Sequence, residues 1–158
     1  MAGGATWVWA PAAIPNTQWN LRTYFRSVAD RFRGYVGDLW DALPPEEQAP
    51  FDGILLNAPP WESDPDPTDP ESFHASAGKG FSTIERFLAG LPDRLAPDGT
   101  AFIRIRRADE DRRLGPHRLA ELVAKLQLPL TVQPALPDGQ AERGSFVILA
   151  LTPAAAQE

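Results

Sequence analysis

The stretch that decides the fold is Phe51-Asp52-Gly53-Ile54-Leu55-Leu56-Asn57-Ala58-Pro59-Pro60-Trp61. A short apolar run bounded by turn-forming residues predicts a buried β-strand. The prolines restrict the backbone just after this strand, so Asn57 and Trp61 are expected on a stiff loop at its carboxyl edge. Ligands bind at that edge in open α/β sheets. The stretch therefore predicts a strand that ends in a binding loop.

Three segments carry a resemblance to a known family. Residues 52–61 resemble the strand and Asn-Pro-Pro-aromatic loop of class I S-adenosylmethionine methyltransferases that act on planar nitrogens. Residues 37–44, Gly-Asp-Leu-Trp-Asp-Ala-Leu-Pro, are similar to the preceding segment in the HemK-type protein-glutamine N5 and adenine-N6 branch. Residues 91–105 are similar to the helix, turn and strand that follow. The resemblance extends from about residue 7 to residue 152, and its middle third carries the specific motifs.

The resemblance implies an acceptor site in the loop after the strand. Asn57 and a carbonyl group of Pro59 or Pro60 would accept hydrogen bonds from the target amide or amino group, while Trp61 stacks on it. Such contacts would place a weakly nucleophilic nitrogen in line with the methyl group. Ala58 stands where the family has its first proline. The loop is therefore either an acceptor site, a site that has lost activity, or a turn that ends the strand and buries a tryptophan.

The resemblance also implies an adenosine site for S-adenosylmethionine. Asp38 would accept a hydrogen bond from the adenine amino group, and Leu39 would supply main chain beside the ring. The alternative is that Asp38 caps a turn after Gly37. Two other cofactor contacts of the family are absent from the sequence: no Gly-x-Gly-x-Gly motif occurs, and residues 10–13, Ala-Pro-Ala-Ala, offer no acid for the ribose.

The missing opening strand of the family belongs in the middle of the sheet. A bare gap there is not tolerable, because each buried unpaired backbone group costs about 1–3 kcal/mol. Three arrangements remain open: the flanking strands pair directly, a partner chain donates a strand, or the first strand of this chain takes the central place. We therefore expect a homo- or hetero-oligomer whose partner supplies or covers the missing strand.

The whole pattern predicts a Rossmann-like α/β fold, truncated at the N-terminus, with helices on both faces of a mostly parallel sheet. Apolar spacing predicts one buried helical stripe from Asn16 to Phe32, closed by Gly34, and further helices around 82–95 and 119–126. Pro92 predicts a kink or break within the second helix. Strands are predicted at 5–10, 35–36, 101–105, 130–135 and 145–151, the last two as an antiparallel hairpin at the sheet edge.

Length and charge fit one soluble domain. The chain has 158 residues, a net charge of -6 and no cysteine. We predict a single domain over 1–158, with a disordered start at 1–4 and an acidic proline-rich loop at 62–80. The acidic balance argues against nucleic acid as a partner. No segment has the length and apolarity of a membrane span, so a cytoplasmic protein is expected, and the composition is typical of GC-rich bacterial genes.

Some side chains are assigned no chemistry. The histidines His74 and His117 lack ligand-spaced neighbours, so no metal site is predicted. Arg104 lies in a mixed charged connection that is read as solvated. The five tryptophans lie toward the N-terminal half, at positions 7, 9, 19, 40 and 61. They either fill the core or form an apolar surface for a partner.

Two functions follow from this pattern. The first is an S-adenosylmethionine-dependent N-methyltransferase that is not active alone and is completed by a partner chain. The second is a non-catalytic or repurposed subunit with a methyltransferase fold, a pseudoenzyme that serves binding or assembly. The absence of both the glycine loop and the ribose acid favours loss of autonomous activity.

Overall fold

The computed structural model describes residues 4–8, 13–47, 50–59, 64, 66, 68, 78, 81–106, 114–135 and 146–154. Its main-chain contacts divide the chain into two compact units, Met1–Ala49 and Pro50–Glu158. Each unit has its own sheet. The single domain over 1–158 stays a prediction, and the two units are treated separately below.

The first unit is a strand-helix-strand arrangement. Its elements are β1 (Gly4–Val8), α1 (Ala13–Tyr24), α2 (Arg26–Ala29), β2 (Phe32–Val36) and two 3₁₀ turns, Leu39–Ala42 and Pro45–Glu47. Strands β1 and β2 are parallel, with Gly4 opposite Phe32 and Val8 opposite Val36. A parallel pair needs a crossover connection, which the helices supply. Gly4, which we expected in a disordered start, is the first residue of β1.

The predicted helix from Asn16 to Phe32 has different bounds. The helix begins at Ala13, so Asn16 lies inside it, and it breaks at Phe25, where φ is -135° and ψ is 49°. Phe32 is already in β2, because pairing with β1 replaces the helical bonds there. Gly34 is not a helix cap but a strand residue. A Cβ atom at this position would lie 2.5 Å from Ile14 Cδ1, so a glycine lets the side chain of Ile14 approach the strand closely.

The predicted burial of this helical stripe is wrong. Tyr24 is 67% exposed, Phe25 is 60% exposed and Val28 is 37% exposed. Neither α1 nor α2 contains a buried residue among the side chains that the structure describes. Apolar spacing correctly indicated helix, but these side chains have no core to pack against in the described part of the chain.

The second unit is built on a four-stranded sheet. Its elements are β3 (Phe51–Asn57), α3 (Ser82–Gly90), β4 (Leu95–Arg106), α4 (Pro116–Lys125), β5 (Leu130–Pro134) and β6 (Phe146–Pro153). The strand order is β3-β4-β6-β5. Strand β3 is parallel to β4, whereas β6 is antiparallel to both β4 and β5.

Local sequence explains where the two helices of this unit lie. Helix α3 ends at Gly90, before the predicted kink or break at Pro92, because a proline removes a helical donor and clashes with the preceding turn. Leu95, which the apolar pattern placed in this helix, is the first residue of β4. Its N-cap is Phe81, with φ of 59° and no side-chain cap hydrogen bond. Helix α4 starts with Pro116, a residue suited to the first helical position. Each helix presents one apolar face, and those faces are buried.

The core of the second unit lies on one face of its sheet. Ala101, Ile103 and Ile105 of β4 are at most 2% exposed, and the fully buried Phe87 belongs to α3. Lys125 of α4 forms an ion pair with Glu85 of α3, which places both helices on this same side. The prediction of helices on both faces concerned one sheet over the whole chain, and it stays a prediction.

The opposite face of the sheet is exposed at β3 and β4, although Ala150 of β6, the register partner of Phe102, is buried. Leu55 of β3 is 72% exposed, and Phe102, its register partner on β4, is 37% exposed. The run 51–57 is therefore buried on one side only, and not throughout as predicted. Among the described helices, none is long and apolar enough to cross a membrane.

Candidate functional site

Asn57 is the last residue of β3 and lies at the carboxyl end of that strand. Its side chain is exposed. The register places it opposite Arg104 of β4, and the Nη1 of Arg104 donates a hydrogen bond of 2.9 Å to Asn57 Oδ1. The next residue, Ala58, donates its N–H to the carbonyl oxygen of Arg104 at 3.2 Å. Arg104 thus holds both the side chain of Asn57 and the main chain that leaves the strand.

This contact fixes the orientation of the Asn57 amide. A guanidinium group has donors only, so the atom of Asn57 that faces it must be the carbonyl oxygen. That oxygen has two lone pairs, and one of them serves Arg104. Asn57 keeps its NH₂ group and one lone pair of Oδ1 for a ligand. The side chain can therefore accept one further hydrogen bond at Oδ1, and not the two expected for a free amide oxygen.

The loop after Asn57 is described only in part. Ala58 is 8% exposed, and Pro59 is half-buried. Pro60 and Trp61 lie outside the described residues, so the stacking role of the indole ring stays a prediction. The described segment shows a strand end followed by two residues without helix or strand structure.

Asp38 and Leu39 follow the carboxyl end of β2 in the first unit. The Asp38 side chain is exposed, and it makes no side-chain cap hydrogen bond to the 3₁₀ turn that it precedes. Its carbonyl oxygen accepts from the Asp41 N–H at 3.2 Å. The turn is therefore closed by main chain, and the carboxylate is not its cap.

Leu39 has an unusual backbone conformation. Its φ is 50°, a left-handed value that is uncommon for a residue with a side chain. The side chain is 7% exposed, so packing in the first unit offsets the strain. Gly37 is needed just before this turn, because a Cβ atom there would lie 2.7 Å from Ala42 Cβ and 2.9 Å from its Cα. The sequence identified Asp38 and Leu39 but not this packing requirement.

A second polar cluster lies in the first unit. Arg33 forms an ion pair with Glu47, and the hydrogen bond between them raises the pKa of Arg33. Partial burial, followed by a hydrogen bond with Glu47, raises the pKa of Tyr35. Because both pKa values are raised, the Arg33 guanidinium stays charged and the Tyr35 phenol stays neutral near neutral pH. No set of three or more His, Asp or Glu side chains in the described part of the chain is arranged to hold a metal ion.

The sequence missed Arg104 as a member of the site. It was assigned to a solvated charged connection, yet it is half-buried and contacts Asn57. Only the register of β3 against β4 brings these residues together, and no local pattern reports that register. The candidate acceptor residues lie in the second unit and the candidate adenosine residues in the first.

No family model and no curated protein matches the chain. Solved structures do. The mitomycin 7-O-methyltransferase MmcR matches with a TM-score of 0.64 and 18% identity over 96% of this chain and 42% of that protein. The O-methyltransferase NcsB1 from neocarzinostatin biosynthesis, solved with S-adenosyl-L-homocysteine, has a TM-score of 0.58 and 18% identity, over 97% and 42%.

A third match is the glycopeptide N-methyltransferase MtfA in complex with sinefungin, with a TM-score of 0.60 and 13% identity over 94% of this chain and 76% of that protein. At these identities the likeness is one of fold. The chain has the mixed α/β, Rossmann-like fold of S-adenosylmethionine-dependent methyltransferases, which confirms this part of the prediction. It spans less than half the length of MmcR and NcsB1.

Proposed function

We propose that this chain is a methyltransferase-like protein of the HemK-type, Asn-Pro-Pro-aromatic kind that uses S-adenosylmethionine and is not active alone. One observation carries the proposal. The segment 37–44 and the Asn-Ala-Pro-Pro-Trp loop both start at the carboxyl end of a strand that belongs to a parallel pair. Asp38 follows the end of β2, and Asn57 is the last residue of β3. Ligands of open α/β sheets bind at that end of the strands.

The residues at the end of β2 fit the adenosine part of the cofactor. The exposed carboxylate of Asp38 can accept a hydrogen bond from an amino group, and the turn at Leu39 presents main chain next to it. When bound, S-adenosylmethionine supplies a methyl group on an electrophilic sulfonium. This chain has no glycine-rich turn for the rest of the cofactor. Asp38 and Leu39 therefore form half of a cofactor site.

The residues at the end of β3 fit a planar nitrogen acceptor. The free lone pair of Asn57 Oδ1 and a carbonyl of Pro59 or Pro60 would hold the hydrogens of the acceptor nitrogen, and Trp61 would stack on its plane. Arg104 keeps the Asn57 amide in one orientation. Such preorganised acceptors lower the cost of aligning the nitrogen with the methyl group.

A partner chain would complete the enzyme. We propose that it supplies a strand and a glycine-rich turn beside β3, which pairs only with β4 among the described strands. A strand added to this edge would pair the open backbone groups of β3. Its following helix would cover the exposed side chains of Leu55 and Phe102. A cytoplasmic location, as expected from the sequence, is part of the same proposal.

Calorimetric titration with S-adenosylhomocysteine tests the cofactor half-site. We expect weak binding by the chain alone, and a loss of about 1.5–3 kcal/mol on Asp38→Ala, because a hydrogen bond to a charged group is removed. That loss is about tenfold or more in Kd. Asp41→Ala is the matched control, since Asp41 is an exposed carboxylate three residues away. Equal effects of the two substitutions would contradict the assignment of Asp38.

The second candidate function is a non-catalytic subunit. The contact of Arg104 with Asn57 Oδ1 favours it, because an acceptor atom of the proposed chemistry already has a donor. Asn57→Ala distinguishes the two functions, with Gln133→Ala, an exposed amide on β5, as control. Loss of methyl transfer in the complex only for Asn57→Ala supports the enzyme. If Asn57→Ala and Gln133→Ala both keep the biological activity of the complex, the result supports the non-catalytic subunit.

A further inference from the structure

Glu47 closes the segment that carries the proposed adenosine residues. The segment, residues 37–47, follows β2, passes through both 3₁₀ turns and ends at Glu47. There the Glu47 carboxylate forms an ion pair with Arg33 of β2 and accepts a hydrogen bond from the hydroxyl of Tyr35, also in β2. Both ends of the segment are therefore attached to the same strand, one by the covalent chain and the other by one side chain.

The strand presents both donors on one face. Arg33 and Tyr35 are two positions apart in β2, so their side chains lie on the same side of the strand. Gly34, between them, faces the other side, where Ile14 of α1 approaches it. A carboxylate has about four acceptor positions, which allow it to serve a guanidinium and a hydroxyl together. Glu47 therefore contacts β2 on the face opposite α1.

The Glu47 side chain is covered, whereas its neighbour Glu46 is exposed. The exposed fraction of the Glu47 side chain is 14%, and Glu46 belongs to the exposed class. A covered carboxylate is costly unless it is paired and hydrogen-bonded, as it is here. Glu46 acts on Arg33 and Tyr35 through its charge alone. Of the two acids, Glu47 is therefore the one that holds the end of the segment by directed contacts.

Between its two attachments the segment is packed and hydrogen-bonded. Leu39, Trp40 and Leu43 are at most 7% exposed. The N–H of Asp41 donates to the carbonyl oxygen of Asp38 at 3.2 Å, and the N–H of Leu43 donates to that of Trp40 at 3.1 Å. Leu39 has a left-handed φ of 50°, a strained value that the surrounding structure must impose. Closure at both ends favours this conformation, because it lowers the entropy of the open states of the segment.

We propose that Glu47 is a positioning residue for the cofactor half-site formed by Asp38 and Leu39. Its carboxylate attaches the far end of the segment to β2, and the closed segment holds the Asp38 carboxylate and the Leu39 main chain at the carboxyl end of that strand. Glu47 acts through the segment and not by contact with the ligand. The inference rests on the assignment of Asp38 and Leu39 in the proposed function. A preformed half-site binds more tightly, because binding does not have to order it.

Calorimetric titration of the full chain with S-adenosylhomocysteine measures the effect on affinity. Glu47→Gln should raise the Kd by about three- to tenfold, because the segment must then be ordered on binding. Glu46→Gln is the matched control, since it removes the same charge one residue away, and it should leave the Kd within about twofold. Tyr35→Phe removes a single hydroxyl and should also raise the Kd. Its effect should not add to that of Glu47→Gln, since both remove the same contact.

Hydrogen exchange of the free chain separates positioning from general stability. In Glu47→Gln the amides of Asp41 and Leu43 should exchange faster, while the β2 amides that pair with β1 keep their wild-type rates. Circular dichroism verifies folding, and Tyr35→Phe makes the same prediction if Glu47→Gln does not fold. This measurement needs no ligand. A wild-type chain that does not bind S-adenosylhomocysteine therefore contradicts the proposed function, and the exchange rates still decide whether Glu47 holds the segment.

An ultraviolet titration of Tyr35 tests the contact itself. The chain has two tyrosines, so Tyr24→Phe leaves Tyr35 as the only phenol. Burial, and then the hydrogen bond and charge of Glu47, raise the pKa of Tyr35. In the Tyr24→Phe background, Glu47→Gln should therefore lower this pKa, and Glu46→Gln should lower it less.

Three results overturn the proposal. The first is a Kd that Glu47→Gln leaves unchanged or that Glu46→Gln raises equally. The second is unchanged exchange at Asp41 and Leu43 in Glu47→Gln. The third is faster exchange throughout β2, which would give Glu47 a general role in stability.

Discussion

Two neighbouring residues of β3 allow a direct test of which face of the second sheet is covered. Ile54 is 6% exposed and opposes Ala101 of β4, whereas Leu55 is 72% exposed and opposes Phe102. Successive side chains of a strand point to opposite faces. Replacing each by alanine removes similar apolar volume from two different environments in one strand.

The expected costs differ several-fold. Ile54→Ala leaves a cavity on the buried face of β3 and should cost about 2–4 kcal/mol. A fully buried leucine gains about 1.5–3 kcal/mol, and Leu55 keeps roughly a quarter of that burial, so Leu55→Ala should cost less than about 0.8 kcal/mol. With a urea m-value of about 2 kcal/mol/M, the midpoint should fall by about 1–2 M for Ile54→Ala and by less than about 0.4 M for Leu55→Ala.

Urea unfolding should be followed by far-ultraviolet circular dichroism and by hydrogen exchange of the β3 amides. Tryptophan fluorescence is unsuitable, because four of the five tryptophans precede residue 50 and report on the first unit. Equal and large costs would show that the face of Leu55 is covered in solution. Equal and small costs would show that β3 does not belong to the core of the second unit.

Two further predictions concern turns and loops. Gly99→Ala should destabilise the second unit by about 1–3 kcal/mol in the same urea titration. The added Cβ atom would lie 2.8 Å from the carbonyl oxygen of Phe51 and 3.0 Å from the main-chain N of Ala96. Gly53→Ala is the control and should be neutral or stabilising, because its Cβ atom would have no heavy atom within 4 Å. Hydrogen bonds from the hydroxyl and the N–H of Thr68 lower the pKa of Asp66 below its ordinary 3.8. These hydrogen bonds persist above pH 3.8 and break as the pH falls through the lowered pKa of Asp66. Thr68→Val removes the hydroxyl donor, so an NMR carboxyl titration should show a higher pKa of Asp66 in this variant. An unchanged pKa of Asp66 would contradict the assignment.

The sequence predicted the fold of the second unit well, because its signals are local. Pro92 stops α3, the apolar spacing from Leu119 to Leu126 marks α4, and the run 51–57 forms β3. Each of these patterns determines an element without reference to distant residues. The strand order, β3-β4-β6-β5, was not predicted, because strand pairing joins residues that are far apart in the chain.

The first unit shows what local signals cannot supply. Apolar spacing correctly predicted helix from Leu21 to Val28, but it does not report whether another element covers the stripe. Phe32 leaves the helix because a strand 28 positions earlier, beginning at Gly4, pairs with it. Trp19 is 60% exposed and Trp40 is 7% exposed, although both are tryptophans of the same unit. Burial depends on packing partners that composition does not identify.

The candidate site combines a feature that local sequence predicts with one that depends on a residue far away in the chain. The position of Asn57 at the end of a strand is a local property, and the sequence predicted it from the residues that follow. The orientation of its amide depends on Arg104, which is 47 positions away and meets it only through the β3–β4 register. The loop therefore starts from a strand end held by two hydrogen bonds from the neighbouring strand, in addition to the stiffness of its prolines. A substrate nitrogen at Asn57 would donate its hydrogen bond to an amide oxygen that the Arg104 guanidinium already contacts, and this contact weakens the oxygen as a hydrogen-bond acceptor. The β3–β4 register imposes the contact between Arg104 and Asn57. The strength of Asn57 Oδ1 as a hydrogen-bond acceptor is therefore set by the fold and not by the loop motif.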